Sequence, residues 1–279
     1  MKNFIALFLM LFSVYAHTEI VNLEDVSSHY STQAKKSDSI FILLHGTRGH
    51  NNLELISSLR DSLDENSIDS LSINLSYGIK NRNSDFLACE IEHDHTVDES
   101  LKEIELWYRY AIDDGYKKIY LVGHSRGGQD IMNFYENLNT RYQALTDSIF
   151  LLAPISDNTS DHIFNYKKKG IDIKVINDND KLNIDFLGCN NARVQGESFK
   201  SYYYNLDALS TIDALKVTRA RVYVITASDD TIAPLTHSKV EKIVEDKTNI
   251  ELHQVDGADH FFRDFYFDDL MDMITERIN

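Results

Sequence analysis

The stretch KIYLVGHSRGG, residues 118–128, joins a short apolar run to a turn that carries one serine between two glycines. The run at 118–123 predicts a strand, and QDIMNFYENL (129–138) has the apolar spacing of a helix. Between them, GHSRG (123–127) matches G-x-S-x-G, in which Gly123 and Gly127 let the chain turn sharply without a clash. The alternative is a glycine turn with an incidental serine, and the position directly after a strand favours a nucleophile, Ser125.

The rest of the chain repeats the same alternation of strand and helix. Five more apolar runs are short and nearly continuous: SIFILLHG (39–46), DSLSIN (69–74), SIFLLAP (148–154), RVYVITA (221–227) and IELHQV (250–255). Helical spacing occurs in LELISSLRDSL (53–63), DESLKEIELWYRYAI (98–112) and YFDDLMDMITERI (266–278). Continuous apolar strands are typical of parallel sheets buried on both faces. We therefore predict an α/β fold with a mostly parallel sheet and helices on both faces.

Residues 155–217 interrupt this alternation. The segment is polar, rich in Asn and Asp, and carries the lysine run 167–169, which indicates a solvated surface. Phe186-Leu187 and the tyrosines 202–204 give it apolar side chains to pack. Because long connections in compact domains are usually functional, we predict an inserted cap or lid segment.

Composition and charge limit the partners. The chain has 279 residues with 43% hydrophobic content, which is enough for one domain, assigned to residues 17–279. The formal net charge of -16 argues against a nucleic-acid partner and against charge-driven binding to an anionic membrane.

The first 16 residues have the composition of a signal peptide. Met1-Lys2-Asn3 precedes the apolar run FIALFLMLFSVYA, and Val14 and Ala16 are the small residues of a cleavage site. We expect an exported protein, periplasmic or secreted, with no stable membrane association after cleavage. An uncleaved N-terminal anchor is the alternative.

A catalytic serine needs a histidine to take its proton and an acid to orient that histidine. For a nucleophile on such a strand-to-helix turn, the expected chain order is serine, acid, histidine. The loop SDDTIAP (228–234) follows the run at 221–227, and DGADHFF (256–262) follows the run at 250–255. Both loops therefore leave the same edge of the sheet as Ser125.

From about Ser39 to its end, the chain resembles the α/β-hydrolase superfamily, including an esterase-like bacterial branch of unknown substrate. The matching motifs are LLHG (43–46), GHSRG (123–127), SDDTIAP (228–234) and GADHFF (257–262). The resemblance implies that Asp230, rather than Asp229, is the acid and that His260 is the base. It also implies an oxyanion hole formed by the main-chain N–H groups of Thr47 and Arg126. A plain glycine turn is the alternative at Thr47.

These residues predict a serine hydrolase that needs no cofactor. Its partner would be a small-molecule acyl substrate, an ester or thioester with a soluble acyl group of short or medium length. A non-catalytic binding protein on the same scaffold is one alternative. The oligomeric state does not follow from the sequence.

Cys89 and Cys189 are the only cysteines, and an exported chain would allow them to form a disulfide. Two buried free thiols are the competing hypothesis. Cys89 also lies close in sequence to His93 and His95, which raises the alternative of a metal-dependent enzyme. Their spacing fits no strong zinc pattern, so we predict no metal site.

Overall fold

The computed structural model describes residues 17–33, 36–204 and 209–278. The expected signal peptide, residues 1–16, lies outside these ranges. Within them, no helix combines the length and apolar character that crossing a membrane requires.

The described strands are β1 (His17–Leu23), β2 (Val26–Thr32), β3 (Ser39–Leu44), β4 (Asp69–Asn74), β5 (Glu92–His93), β6 (Lys118–His124), β7 (Thr146–Leu152), β8 (Lys181–Phe186), β9 (Cys189–Gln195), β10 (Val222–Ala227) and β11 (Ile250–Val255). The described α-helices are α1 (Glu54–Glu65), α2 (Val97–Asp113), α3 (Arg126–Asn137), α4 (Thr140–Gln143), α5 (Thr159–Lys168), α6 (Gly196–Tyr203), α7 (Thr211–Val217), α8 (Thr236–Val244) and α9 (Tyr266–Thr275). A 3-10 helix spans Ile173–Val175.

In this part of the chain, eight strands form the main sheet, in the spatial order β1-β2-β4-β3-β6-β7-β10-β11. Along β4-β3-β6-β7-β10-β11, each strand is parallel to its neighbour. Strands β1 and β2 add an antiparallel hairpin at one edge. The predicted fold class, a mostly parallel sheet in an α/β fold, is confirmed. The hairpin was not predicted, because β2 alternates buried and half-buried residues instead of forming a continuous apolar run.

Helices cover both faces of the sheet, as predicted, because successive side chains of a strand point to opposite faces. In β3, Ile40 and Ile42 pack into a core that includes residues of α2 and α3. Phe41 and Leu43, between and after them, pack with residues of α1 and α9. Burial on both faces explains why these strands are nearly continuously apolar.

The inserted segment lies between β7 and β10 and has a small core of its own. Its hairpin, β8 and β9, pairs with the short strand β5, so that a second, three-stranded sheet forms in the order β5-β9-β8. Phe186, Phe199 and Tyr202 pack together beneath this sheet. The lysines at 167–169 are exposed, which fits their expected role as a solvated surface.

A disulfide connects the inserted segment to the loop before β5. Cys89 and Cys189 are bonded, with their Cα atoms 5.5 Å apart and 100 positions between them in the sequence. The bond therefore closes a long loop between two parts of the small sheet.

Candidate active site

Ser125 lies in a strained turn between β6 and α3. Its backbone has φ 54° and ψ -121°, a positive φ that L residues rarely adopt. The flanking glycines are required by close packing, since a Cβ atom on Gly123 would lie 2.4 Å from the carbonyl oxygen of Gly127. A Cβ atom on Gly127 would lie 2.3 Å from the carbonyl oxygen of His45. The serine is thereby held at the carboxyl edge of the sheet.

Asp230 and His260 meet at the same edge. His260 Nδ1 and Asp230 Oδ2 are 2.7 Å apart, and both side chains are buried. The other carboxylate oxygen of Asp230 accepts hydrogen bonds from the main-chain N–H groups of Ile232 and Ala233. Burial alone would raise the pKa of Asp230, but the hydrogen bond from His260 and those from the backbone lower it below its usual value. The exposed Asp229 does not contact His260.

Ser125 and His260 line one cavity of about 300 Å³, which we call the Ser125 cavity. Among the described residues, no hydrogen bond joins the serine hydroxyl to a partner, including His260. The site thus contains a histidine–aspartate pair and a neighbouring serine whose hydroxyl is unengaged. In a site without substrate, such hydrogen bonds are often long and tighten only when substrate binds.

Thr47 and Arg126 border the same cavity. Neither main-chain N–H donates a hydrogen bond within the described part of the chain. The Thr47 loop packs directly against the serine, since a Cβ atom on Gly46 would lie 3.0 Å from Ser125 Cβ. Two unengaged N–H donors next to a serine are the groups that an oxyanion would need.

Two further histidines near the site, His124 and His45, make hydrogen bonds to nearby loops. His124 Nε2 lies 2.9 Å from the carbonyl oxygen of His260, so it helps to position that loop. His45 accepts a hydrogen bond from the Leu75 N–H and lies 2.9 Å from the carbonyl oxygen of Gly46. Burial lowers the pKa of both imidazoles to about 3, which keeps them neutral at physiological pH.

Cys89, His93 and His95, the residues of the alternative metal site, do not come together as a set of metal ligands. The sulfur of Cys89 is bonded to Cys189, and His93 and His95 instead contact one another, with Nδ1 and Nε2 3.3 Å apart. His95 also lies 3.0 Å from the hydroxyl of Tyr202. Over the described ranges, no group of three or more His, Cys, Asp or Glu side chains is placed to hold a metal ion.

Several contacts at the site could not be found from the sequence. Arg48 donates hydrogen bonds to the carbonyl oxygens of Leu187 and Leu87 and to Cys89 Sγ. It therefore connects the inserted segment to the loop before β5. The guanidinium group of Arg126 lies over the rings of Tyr202 and Tyr203 in the inserted segment. The cavity is further lined by Leu53, Phe86, Leu187, Gly188, Tyr203, Ile232 and Phe261.

No protein-family model matches the sequence, and a search of curated protein sequences finds no match. Solved structures do match. Est1E from Butyrivibrio proteoclasticus superposes with a TM-score of 0.66 at 16% identity, covering 94% of this chain and 98% of Est1E. The α/β hydrolase GrgF from Penicillium sp. sh18 has a TM-score of 0.62 at 11% identity, over 95% of this chain and 97% of GrgF.

The esterase domain of a Rhodothermus marinus protein is similar, with a TM-score of 0.61 at 11% identity, over 93% of this chain and 96% of that domain. Est1E has also been solved with ferulic acid bound. Identities this low establish the fold alone. The strand order and these neighbours together show that the chain has the α/β-hydrolase fold.

Proposed function

We propose that this protein is a serine hydrolase that cleaves a carboxylic ester or thioester through an acyl-enzyme. The observation that carries the proposal is the buried pair of His260 and Asp230, which shares the Ser125 cavity with a serine on a strained turn. The neighbouring hydrolase and esterase structures support hydrolysis as the type of reaction.

In the proposed mechanism, His260 takes the proton of Ser125 as the hydroxyl attacks the acyl carbon. Asp230 holds the imidazole through Nδ1, so that Nε2 is the nitrogen available to the serine. The N–H groups of Thr47 and Arg126 stabilise the negative charge that develops on the acyl oxygen. His260 then gives the proton to the leaving alcohol, and water releases the acid by the reverse sequence.

We further propose a water-soluble substrate with a short or medium acyl group. Most aromatic residues of the inserted segment, such as Phe186 and Phe199, are buried in its own core. Its surface exposes the lysines at 167–169 and a single phenylalanine, Phe164, unlike an apolar lid that opens at an oil surface. Rates with p-nitrophenyl esters should therefore fall from butyrate to palmitate, without a jump at the micelle threshold. Est1E, which binds ferulic acid, supports a carboxylic acid as one product. Export to the periplasm or the medium remains part of this proposal.

Labelling with a fluorophosphonate probe tests the proposal, because the probe reacts with an activated serine. We expect labelling of the native protein, with or without a chelator, and none of the Ser125→Ala variant. An unlabelled native protein would favour the non-catalytic binding protein. Ester hydrolysis that a chelator abolishes would favour a metal-dependent enzyme.

A further inference from the structure

A second cavity, of about 450 Å³, adjoins the Ser125 cavity. Leu53, Phe86, His124 and Phe261 line both cavities, so the two are direct neighbours. Four phenylalanines dominate the walls of the second cavity, which we call the aromatic groove: Phe86, Phe261, Phe262 and Phe267. Volumes of this size are typical of small-molecule sites.

The groove lies on the histidine side of the serine, because two of the side chains that line it, His124 and Phe261, have rings whose centroids are 4.9 and 5.2 Å from that of His260. Gly188 and Tyr203, by contrast, line the Ser125 cavity alone. In ester cleavage the histidine gives its proton to the leaving oxygen, so the alcohol part of the substrate lies on the histidine side. We propose that the aromatic groove binds the alcohol part of the ester and selects a neutral, aromatic alcohol. This inference rests on the proposed function.

The charges around the groove favour a neutral group. Arg263 is the cation among the residues that line it, and its guanidinium is already paired with Asp259 at 2.6 Å and lies over the ring of Phe261. Glu54 and Asp264 add negative charge to the same walls. An anionic alcohol would therefore meet acidic side chains, whereas an aromatic ring can pack edge to face against the phenylalanines.

Two acetates separate the alcohol contribution from the acyl contribution. 2-Phenylethyl acetate and ethyl acetate share their acyl group and have leaving alcohols of similar basicity. We expect kcat/KM to be higher for the phenylethyl ester by about tenfold or more, because an aromatic ring becomes buried in the groove. Ethyl 3-phenylpropanoate, which carries the ring on the acyl side, should gain less over ethyl acetate. An equal or larger gain on the acyl side would overturn the assignment.

Variants of residues that line the groove test whether the preference for 2-phenylethyl acetate arises there. Phe267 and Ser58 line the groove and not the Ser125 cavity. Phe267→Ala removes one of the aromatic walls of the groove, and Ser58→Trp fills the groove. Both should reduce the ratio of the two kcat/KM values by about tenfold, since the ring loses its contacts or its space. Phe265→Ala is the matched control, because Phe265 is 65% exposed and outside both cavities, and it should keep the native ratio. An unchanged ratio in both groove variants would refute the proposal.

A binding measurement separates this inference from the proposed function. Titration calorimetry of the Ser125→Ala protein with 2-phenylethanol should show saturable binding. Adding Phe267→Ala should weaken this binding, and adding Phe265→Ala should leave it unchanged. If native protein hydrolyses no ester but this binding occurs, the proposed function is wrong, and the groove is a site for a neutral aromatic alcohol but not for the leaving group of an ester. If esters are cleaved and 2-phenylethanol does not bind, the groove assignment is wrong and the proposed function stands.

Discussion

The carboxyl edge of the main sheet and the inserted segment form different walls of the Ser125 cavity, and they are held in place in different ways. At the sheet edge, Ser125, Asp230 and His260 each follow directly from their own strand or from a short loop after it. In the inserted segment, β9 pairs with β5 across about 100 residues of sequence, and a disulfide of the same span reinforces that pairing. The candidate catalytic residues therefore lie in a wall built by local sequence, whereas the shape of the cavity depends on contacts that are distant in sequence.

The largest expected effect comes from the sheet edge. Replacing Ser125 with Ala should reduce turnover of p-nitrophenyl butyrate by about a million-fold, because the nucleophile is lost while binding groups remain. Steady-state kinetics measure the loss, and circular dichroism checks that the fold is retained. Full activity in this variant would exclude Ser125 as the nucleophile.

The aspartates of the loop after β10 test the same wall more finely. Asp230→Asn should lower kcat by about ten-thousand-fold, because an amide no longer holds the His260 imidazole in the required tautomer. Asp229→Asn is the matched control, since this exposed carboxylate does not contact His260. Steady-state kinetics of both variants measure the loss of kcat, and equal losses would contradict the assignment of Asp230 as the acid.

Much of the sheet edge could be predicted because its signals are local. A continuous apolar run predicts each buried strand, and the functional loop begins within a few residues of the end of that run. The order of the motifs then places Ser125, Asp230 and His260 at one edge, since parallel strands end on the same side. The edge hairpin of β1 and β2 was missed because strands with one half-exposed face have a weaker apolar signal.

The inserted segment could be recognised as an insertion, but its structure could not be predicted. Strand β5 has two residues, too few for a periodic signal, and forms only because β9 lies beside it. Arg48 contacts Leu187 across 139 positions, and no spacing in the sequence indicates such a partner. The cysteines were a long-range signal, since two cysteines have a single possible pairing in a chain that is predicted to be exported.

The disulfide tests how much the cavity depends on the inserted segment. A closed loop of this length is worth up to about 4.7 kcal/mol in the chain-entropy model, so Cys89→Ser/Cys189→Ser should melt at a lower temperature. The main sheet does not contain the bond, and its far-ultraviolet dichroism should persist. Dithiothreitol should destabilise the native protein and leave the double variant unaffected. Thiol counting on denatured, unreduced protein should find no free thiol, and two free thiols would refute the bond.

The smallest expected effect lies behind the sheet edge, at Asp130 of α3, the helix that follows Ser125. Its side chain is buried, and Oδ1 has no hydrogen-bond partner in the described residues, in contrast to the well-bonded carboxylate of Asp230. Burial raises the pKa of Asp130 to about 7, although the charge of Arg126 acts in the opposite direction. Below about pH 7, the neutral acid is therefore the form that the folded protein favours.

A native pKa above the unfolded value means that the folded protein binds this proton more tightly between about pH 4 and 7. Stability must then fall as the pH rises through that window, and Asp130→Asn, which stays neutral, should escape the loss. Between pH 5 and 8 the variant should gain about 2 to 3 kcal/mol in unfolding free energy relative to the native protein. Urea unfolding at both pH values measures this, with the exposed Asp246→Asn as control. A stability difference that does not change with pH would show that Asp130 is ionised, not neutral, in the native protein.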